Sequence, residues 1–391
     1  MLLSEFYLKI GNNLLDSHAD FLIGGQNGPY NDPETPVRNC GHWLIILSKC
    51  FSLTYEHKFL DKVNELADYL ISNNSRLYGF SFYHRFKKGK DKCNGLIGQA
   101  WTFEALAEAS AVIRDIKYVE IAEEVFFDHK FNTEFGLWHR LEIDGNILSI
   151  DDTFNHQLWF AACASLLNTP RREEIRGRIF RFMECLPKNL SVFDSGLIYH
   201  PIERNLNNIG FGIPKKLKLD KSVKSLLSLL SKRKGQANHK QQREKMIHKS
   251  LGYHQFNMYA FGMLKESLPD HPYWQSTIFK QSVRFLLSDE FKDGLSNNVY
   301  GFPYNPPGFE VPYVLSVLSD LTSEEIADIS SWWINEQLRR CYNPKTKMMD
   351  RNTEDYLTLT ARIYELTRLP ASLLEKIEVD TKSIDDFLQF N

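Results

Sequence analysis

Six apolar stretches recur along the chain, and each is entered through a turn or a polar group. They are VRNCGHWLIILSKCF from Val37, NGLIGQAWTFEALAEASAV from Asn94, DDTFNHQLWFAACASLL from Asp151, LGYHQFNMYAFGMLKESL from Leu251, PPGFEVPYVLSVLSDL from Pro306 and EDYLTLTARIYELTRL from Glu354. Taking Asn39, Asn94, Asp151, Leu251, Pro306 and Glu354 as marks, the steps are 55, 57, 100, 55 and 48 residues. A step near 55 holds two helices and two loops. A fixed period of this size is the signature of a repeat architecture, in which each unit buries its apolar face against the next.

Between these stretches lie amphipathic ones: SEFYLKIGNNLLDSH, EHKFLDKVNELADYLISN, IKYVEIAEEVFFDHKF, RREEIRGRIFRFMECLP, YWQSTIFKQSVRFLLSDEF and SEEIADISSWWINEQLRRCYN, the last with Ser323 as its expected N-cap. They carry apolar residues at helical spacing on one face and charges on the other. The first set is poorer in charge and richer in Ala, Gly and aromatics, which predicts deeper burial. Alternating buried and amphipathic helices predict two concentric rings, and hence an all-α fold, an (α/α)6 toroid of six helical hairpins formed by residues 1–391 as one domain. GLWHRL and GLIYHPI suit small hairpins on its rim. The long step contains a basic insertion at 215–250, KKLKLDKSVKSLLSLLSKRKGQANHKQQREKMIHKS, read as an inserted helical hairpin or a mobile loop with a solvated face.

The segments NGLIGQAWTFEALAEA, DDTFNHQLWFAACA and GYHQFNMYAFGM, each a rim turn feeding an inner helix, resemble the six-hairpin glycosidase-like toroids. These include glucoamylase-like hydrolases, unsaturated glucuronyl hydrolases, N-acylglucosamine 2-epimerase relatives and some polysaccharide lyases. The likeness spans nearly the whole chain and is one of architecture. It implies a carbohydrate substrate and a carbohydrate-active enzyme, with glycoside hydrolase ahead of epimerase and lyase. A non-catalytic toroid that binds glycan or protein partners is the other class. Toroidal lanthionine cyclases share the periodicity, but their Cys-His-Gly element is absent, and so is the acidic DxDD run of terpene cyclases.

If the repeats are in register, the starts of the inner helices face one rim. Paired carboxylates would serve glycoside hydrolysis, one as acid and one as base or nucleophile. Asp151 or Asp152 is expected in one role and Glu104 or Glu310 in the other. The echo of His156–Gln157 in His254–Gln255 offers two imidazoles for epimerisation at a carbon beside a carbonyl. Arg38 could neutralise a uronate in a lyase. Asn39, His42, Gln99, Trp101, Trp138, His139, Arg140, Gln157, Gln255 and Tyr304 complete the expected substrate-binding set. Each has a structural reading too: Asp151 and Asp152 suit helix caps, a histidine on an inner helix suits a hydrogen-bonded core, and Glu310 suits a tie between a loop and a helix. The loop from Ile23 to Pro36 adds Tyr30, Asp32 and Glu34 as residues that could touch a ligand, without the spacing of a phosphate loop.

The balance of 47 basic and 49 acidic residues leaves a net charge of −2, so no global field favours nucleic acid. The six cysteines form no CxxC and sit mostly in apolar helical text, as free buried thiols do. No HExxH, HxxxD or paired-cysteine spacing supports a metal, and no cofactor is expected. The first residues lack a basic stretch followed by an apolar run, and no run reaches the length of a membrane span, so a cytoplasmic location is the default expectation.

Overall fold

The structure, a computed structural model, describes residues 1–16, 21–202 and 221–380, and the side chains of 221–240 lie outside the description. It is built from helices α1 (Leu3–Asp16), α2 (Val37–Thr54), α3 (His57–Ile71), α4 (Gly95–Ile113), α5 (Lys117–Asp128), α6 (Phe154–Ala164), α7 (Arg172–Asn189), α8 (Lys221–Ser267), α9 (Thr277–Leu286), α10 (Asp289–Leu295), α11 (Pro307–Leu318), α12 (Ser323–Cys341), α13 (Tyr356–Ala361) and α14 (Ala371–Leu374). A 3-10 turn, Arg362–Arg368, continues α13. Strands β1 (Phe131–Asn132), β2 (Leu137–Leu141) and β3 (Ile147–Ile150) form an antiparallel sheet in that order between α5 and α6, with Phe131 opposite Trp138 and His139 opposite Ile150.

The inner ring follows from which helices touch. α2 packs on α4, α4 on α6, α6 on α8, α8 on α11, α11 on the Arg362–Arg368 turn, and that turn back on α2. This closes a six-membered circle, an (α/α)6 toroid. The sequence explains the two layers. α4 is buried on every side, almost without interruption from Gly95 to Ala109. α3 buries Phe59, Val63, Leu66, Ala67 and Leu70, a single stripe at helical spacing, and leaves its charges outside. Five of the six apolar stretches begin an inner helix within three residues of their marks.

Three details depart from expectation. The described part of the basic insertion, 221–250, is not a hairpin but the first part of one continuous helix, α8, whose last turns supply the inner ring; residues 215–220 lie outside the described residues. YWQSTIFKQSVRFLLSDEF is broken into a 3-10 turn, α9 and α10, because Ser276 and Ser288 each accept a backbone N–H three residues on and start a new helix. The N-cap of α12 is Thr322, not Ser323. Its hydroxyl accepts the Glu325 N–H at 3.3 Å while the Glu325 carboxylate accepts the Thr322 N–H at 2.8 Å, a reciprocal capping box. All six cysteines are free and buried. No helix among the described residues is long and apolar enough to cross a membrane.

Candidate active site

The loops that enter the inner helices meet at one end of the toroid around a cavity of about 180 Å³. Its wall takes Asn27 and Tyr30 from the loop before α2, Arg85, Lys90 and Asn94 from the loop before α4, and Ile97 and Trp101 from α4 itself. Thr153, Asn155 and His156 come from the start of α6, and His200 from the segment that follows α7. Lys249, Tyr253 and Phe256 come from α8, with Tyr304 and Asn305 from the loop before α11. Among these described wall residues there is no carboxylate.

His156 is the most chemically equipped of them. Its Nδ1 lies 2.8 Å from Asp151 Oδ2. Asp151 is buried, yet it stays acidic, its carboxyl held down to about 2. Burial alone would raise it, but the His156 partner outweighs this, helped by the backbone N–H groups of Leu96 and Thr153. A carboxylate so ionised can only accept, so Nδ1 is the donor of this bond and Nε2, on the other ring edge, is the atom left for further chemistry. Asp151 therefore does two things. It orients His156, and it caps α4, taking the Leu96 N–H at 3.1 Å. It caps a neighbouring helix rather than its own, whose N-cap is Thr153.

Close approach makes this possible. Asn94 and Gly95, both at positive φ (56° and 59°), turn the chain into α4. A Cβ on Gly95 would lie 2.5 Å from Asp151 Oδ2 and 2.7 Å from His156 Nδ1, so glycine leaves the space the dyad occupies.

His200 shares the wall, with its ring 4.5 Å from that of Tyr253. Burial, then Lys249 and His156, hold its imidazole well below the usual range, so it is neutral. The Lys249 ammonium is lowered to about 8 by burial and by Lys90.

The remaining expected residues fall elsewhere. Asp152 is exposed and does not line the cavity; its carbonyl accepts the Ile202 N–H. Glu104 lies nine residues into α4, roughly 13 Å from the rim by helix rise. It borders a different hollow with Lys49, Glu108 and Arg368, and pairs with Arg368 at 2.7 Å. Glu310 is fully buried, bonded to Arg362, which also holds Glu365. Two carboxyls flank one guanidinium, so burial and the repulsion of Glu365 push Glu310 up. His254 is fully buried too. It bonds to the Ser282 carbonyl and the Ile198 N–H, facing the outer layer rather than the cavity, so it is not across a funnel from His156.

The glutamines of the repeated motif are clamps. Gln99 brackets both the N–H and the C=O of Phe82, and Gln157 does the same to Trp138. Gln255 holds the Gly252 and Asn305 carbonyls. Each fixes a rim loop to an inner helix, and none lines the cavity. Arg38 is buried against Glu34 and Asn27, with its guanidinium 3.8 Å from the Trp101 ring centre. His42 stacks on Tyr364 at 4.1 Å. Asn39 donates to the Ile23 carbonyl. Trp138 packs among Phe126, Phe131, Phe160 and Phe182. His139 is tied to the Leu148 carbonyl and Arg140 to Asp91. From the two expected groups, Trp101, His156 and Tyr304 line the cavity, with Asp151 directly behind. Tyr30 lines it as well, while Asp32 and Glu34 are buried in ion pairs with Arg85, Lys90 and Arg38.

Sequence reasoning missed His200, Lys249, Arg85 and the asparagines. The signal for two of them was present: YHP in GLIYHPI and YHRF before α4 are rim turns with ionisable residues at their centres.

No family model matches the chain. A curated relative, archaeal glycosylation protein Q of Haloferax volcanii, is 37% identical over 347 residues, which is 88% of this chain and 91% of the relative. The chain belongs to the archaeal glycosylation protein Q family. Among solved structures, it is similar in fold to cellobiose 2-epimerase from Spirochaeta thermophila DSM 6192, with TM-score 0.58 and 12% identity over 99% of this chain and 98% of that one. It is similar also to an inactive variant of the alpha-1,6-mannanase of Salegentibacter sp. HEL1_6 bearing two replaced consecutive aspartates, in complex with alpha-1,6-mannotriose. There the TM-score is 0.54 and the identity 12%, over 94% of this chain and 99% of that one. The fold is thus that of the six-hairpin glycosidase-like toroids.

Proposed function

We propose that the protein is a sugar-acting enzyme that moves a proton at a carbon beside a carbonyl, an epimerase or isomerase. One observation carries this: His156, oriented by an ionised Asp151 at 2.8 Å, faces a cavity whose described wall contains no carboxylate. Hydrolysis by two carboxyls needs both within reach of one glycosidic bond. Proton abstraction needs a base, and His156 Nε2 is the atom we assign to that role. The resulting enediolate oxygen would be met by neutral donors of the wall, the side-chain amides of Asn94 and Asn155. His200, kept neutral, is the second imidazole available to hold or return a proton. The size of the cavity suits one sugar unit, being below the roughly 300–1,000 Å³ of pockets for drug-sized ligands. The name of the Haloferax relative, a glycosylation protein, supports a sugar substrate. The fold shared with a cellobiose 2-epimerase is consistent with the chemistry.

Incubation with a panel of reducing sugars in heavy water tests this. Deuterium should enter at the carbon next to the carbonyl, and His156→Asn should reduce the rate by about 10²–10⁴. Absence of exchange on every sugar, or full exchange in the variant, overturns it.

A hydrolase is the second reading. The consecutive Asp151 and Asp152 favour it, since the inactive mannanase variant carries replacements at two consecutive aspartates. Release of reducing ends from alpha-1,6-manno-oligosaccharides, lost in Asp152→Asn and unaccompanied by deuterium exchange, would establish that reading instead.

A further inference from the structure

Lys249 is a charged residue of the cavity wall that the proton-transfer chemistry leaves unused. Its ammonium sits among three tyrosines, 5.1 Å from the ring centre of Tyr30, 5.8 Å from Tyr253 and 5.9 Å from Tyr300. These rings come from three segments: the loop before α2, α8 itself and the loop before α11. Tyr30 and Tyr253 are joined through their hydroxyls at 2.7 Å.

The charges around it do not offset its own. Lys90 faces it from the loop before α4 and repels it, and His200 faces it from the segment after α7. The nearby acids are engaged elsewhere. Asp32 holds Lys90 at 2.8 Å and Arg85 at 3.1 Å, Asp91 holds Arg85 and Arg140, and Asp151 holds His156. Among the described residues Lys249 has no carboxylate partner and no hydrogen-bond acceptor. Tyrosine faces attract a cation but do not neutralise it. A largely desolvated ammonium without a counter-charge is costly. The cost disappears when an anion enters beside it.

We propose that the substrate is an anionic sugar, and that its acid group binds Lys249 at the tyrosine-lined part of the cavity wall. The proposal rests on the reading of this cavity as a sugar site. Carboxylate and phosphate would both satisfy the ammonium, so a uronic acid and a sugar phosphate are the two sources of the charge. Lys249 binds and positions the sugar; it forms no bond to it. The lowering of its ammonium to about 8 agrees with a site that lacks its counter-ion. An anion beside it would raise that value again.

Binding rather than turnover is the test, so that it stands apart from the chemistry of His156. Calorimetric or NMR titration of the His156→Asn protein would use D-glucuronate, D-glucose 6-phosphate, D-glucuronamide and D-glucose as probes. At least one of the two anions should bind tenfold or more tightly than the neutral sugars, and whichever does identifies the source of the charge. Lys249→Met should erase the preference, and Lys249→Arg should retain part of it, with thermal melting as the folding control. Should both variants fail to fold, the unsubstituted protein still decides: the preference for the anion must weaken as pH rises beyond about 8, where the free ammonium is lost. Equal binding of charged and neutral probes overturns the proposal, as does an unchanged preference in Lys249→Met or no binding of any probe. A borohydride-trapped adduct on Lys249 also overturns it, because the side chain would then be a nucleophile. Anion binding without any deuterium exchange would retain this inference and discard the epimerase reading.

Discussion

A single carboxylate, Asp151, serves three bonding partners, and each makes a different demand. The Leu96 N–H reaches Oδ2 and the Thr153 N–H reaches Oδ1, so an amide in its place keeps one of these two caps at the loss of a single hydrogen bond, whereas the proposed proton transfer at His156 needs the full charge beside Nδ1. Asp151→Asn should therefore leave the melting temperature within a few degrees while turnover falls on the order of 10²–10⁴. Activity and melting measured on the same preparation check this; equal loss of both would make Asp151 a structural cap alone. His254 gives the opposite expectation. Burial lowers its imidazole from 6.5 to about 4, although the bond to the Ser282 carbonyl works against this. Its ring signals in NMR should stay still from pH 8 to 5 and move only near 4. The sign for stability follows. The unfolded chain takes up a proton near 6.5 while the folded one does not, so the stability this ring contributes is whole above 6.5 and falls as pH drops towards 4.

Among the elements, the entry into α4 is the most constrained. Gly95→Ala would place a methyl against the Asp151–His156 pair and force an L-residue to φ +59°. The expected cost is about 1–3 kcal/mol in stability, with a loss of activity larger than that destabilisation explains. Urea unfolding and turnover of the variant together check it. Helices such as α3, α5 and α12 were legible in the sequence because a one-sided stripe is a local pattern. The inner helices were legible as buried text, and their starts as rim turns. What was not legible is which polar residue at each start faces the cavity. Gln99, Gln157 and Gln255 looked like ligands because they recur beside the rim. In the structure each of them instead holds a rim loop by its backbone. His254 echoes His156 in sequence, yet it lies within the long α8 rather than at a helix start, so its ring turns to α9 and to the segment before α8.

For the whole molecule, closure of the circle is the decisive event. Glu104 and Arg368, 264 residues apart, tie the last inner segment to α4, bracing the place where that segment closes the circle on α2. Glu104→Gln or Arg368→Met alone leaves one poorly hydrated charge without its partner and should cost about 3 kcal/mol. The double variant should recover most of that loss. Denaturant midpoints of the three proteins form the cycle, and strictly additive costs would show that the pair is not coupled. The pairing was beyond a linear reading, since periodicity predicts that a ring closes but not which charges meet at the seam.

That seam also governs when the cavity can exist. Asn27 and Tyr30 stand on the cavity wall, but the loop they belong to is held by Asp355, which accepts the Gln26 N–H at 3.0 Å and the Gly28 N–H at 3.1 Å. Tyr304 reaches back to Asn27 at 2.6 Å, and Arg362 bonds to Asn305 at 2.8 Å. During synthesis, the first wall residues thus leave the ribosome more than three hundred residues before the carboxylate that fixes them. A nascent chain can build most of its outer helices and still have no pocket. The cavity arrives all at once, with the sixth hairpin, and until then the residues of its wall have nothing to hold them together.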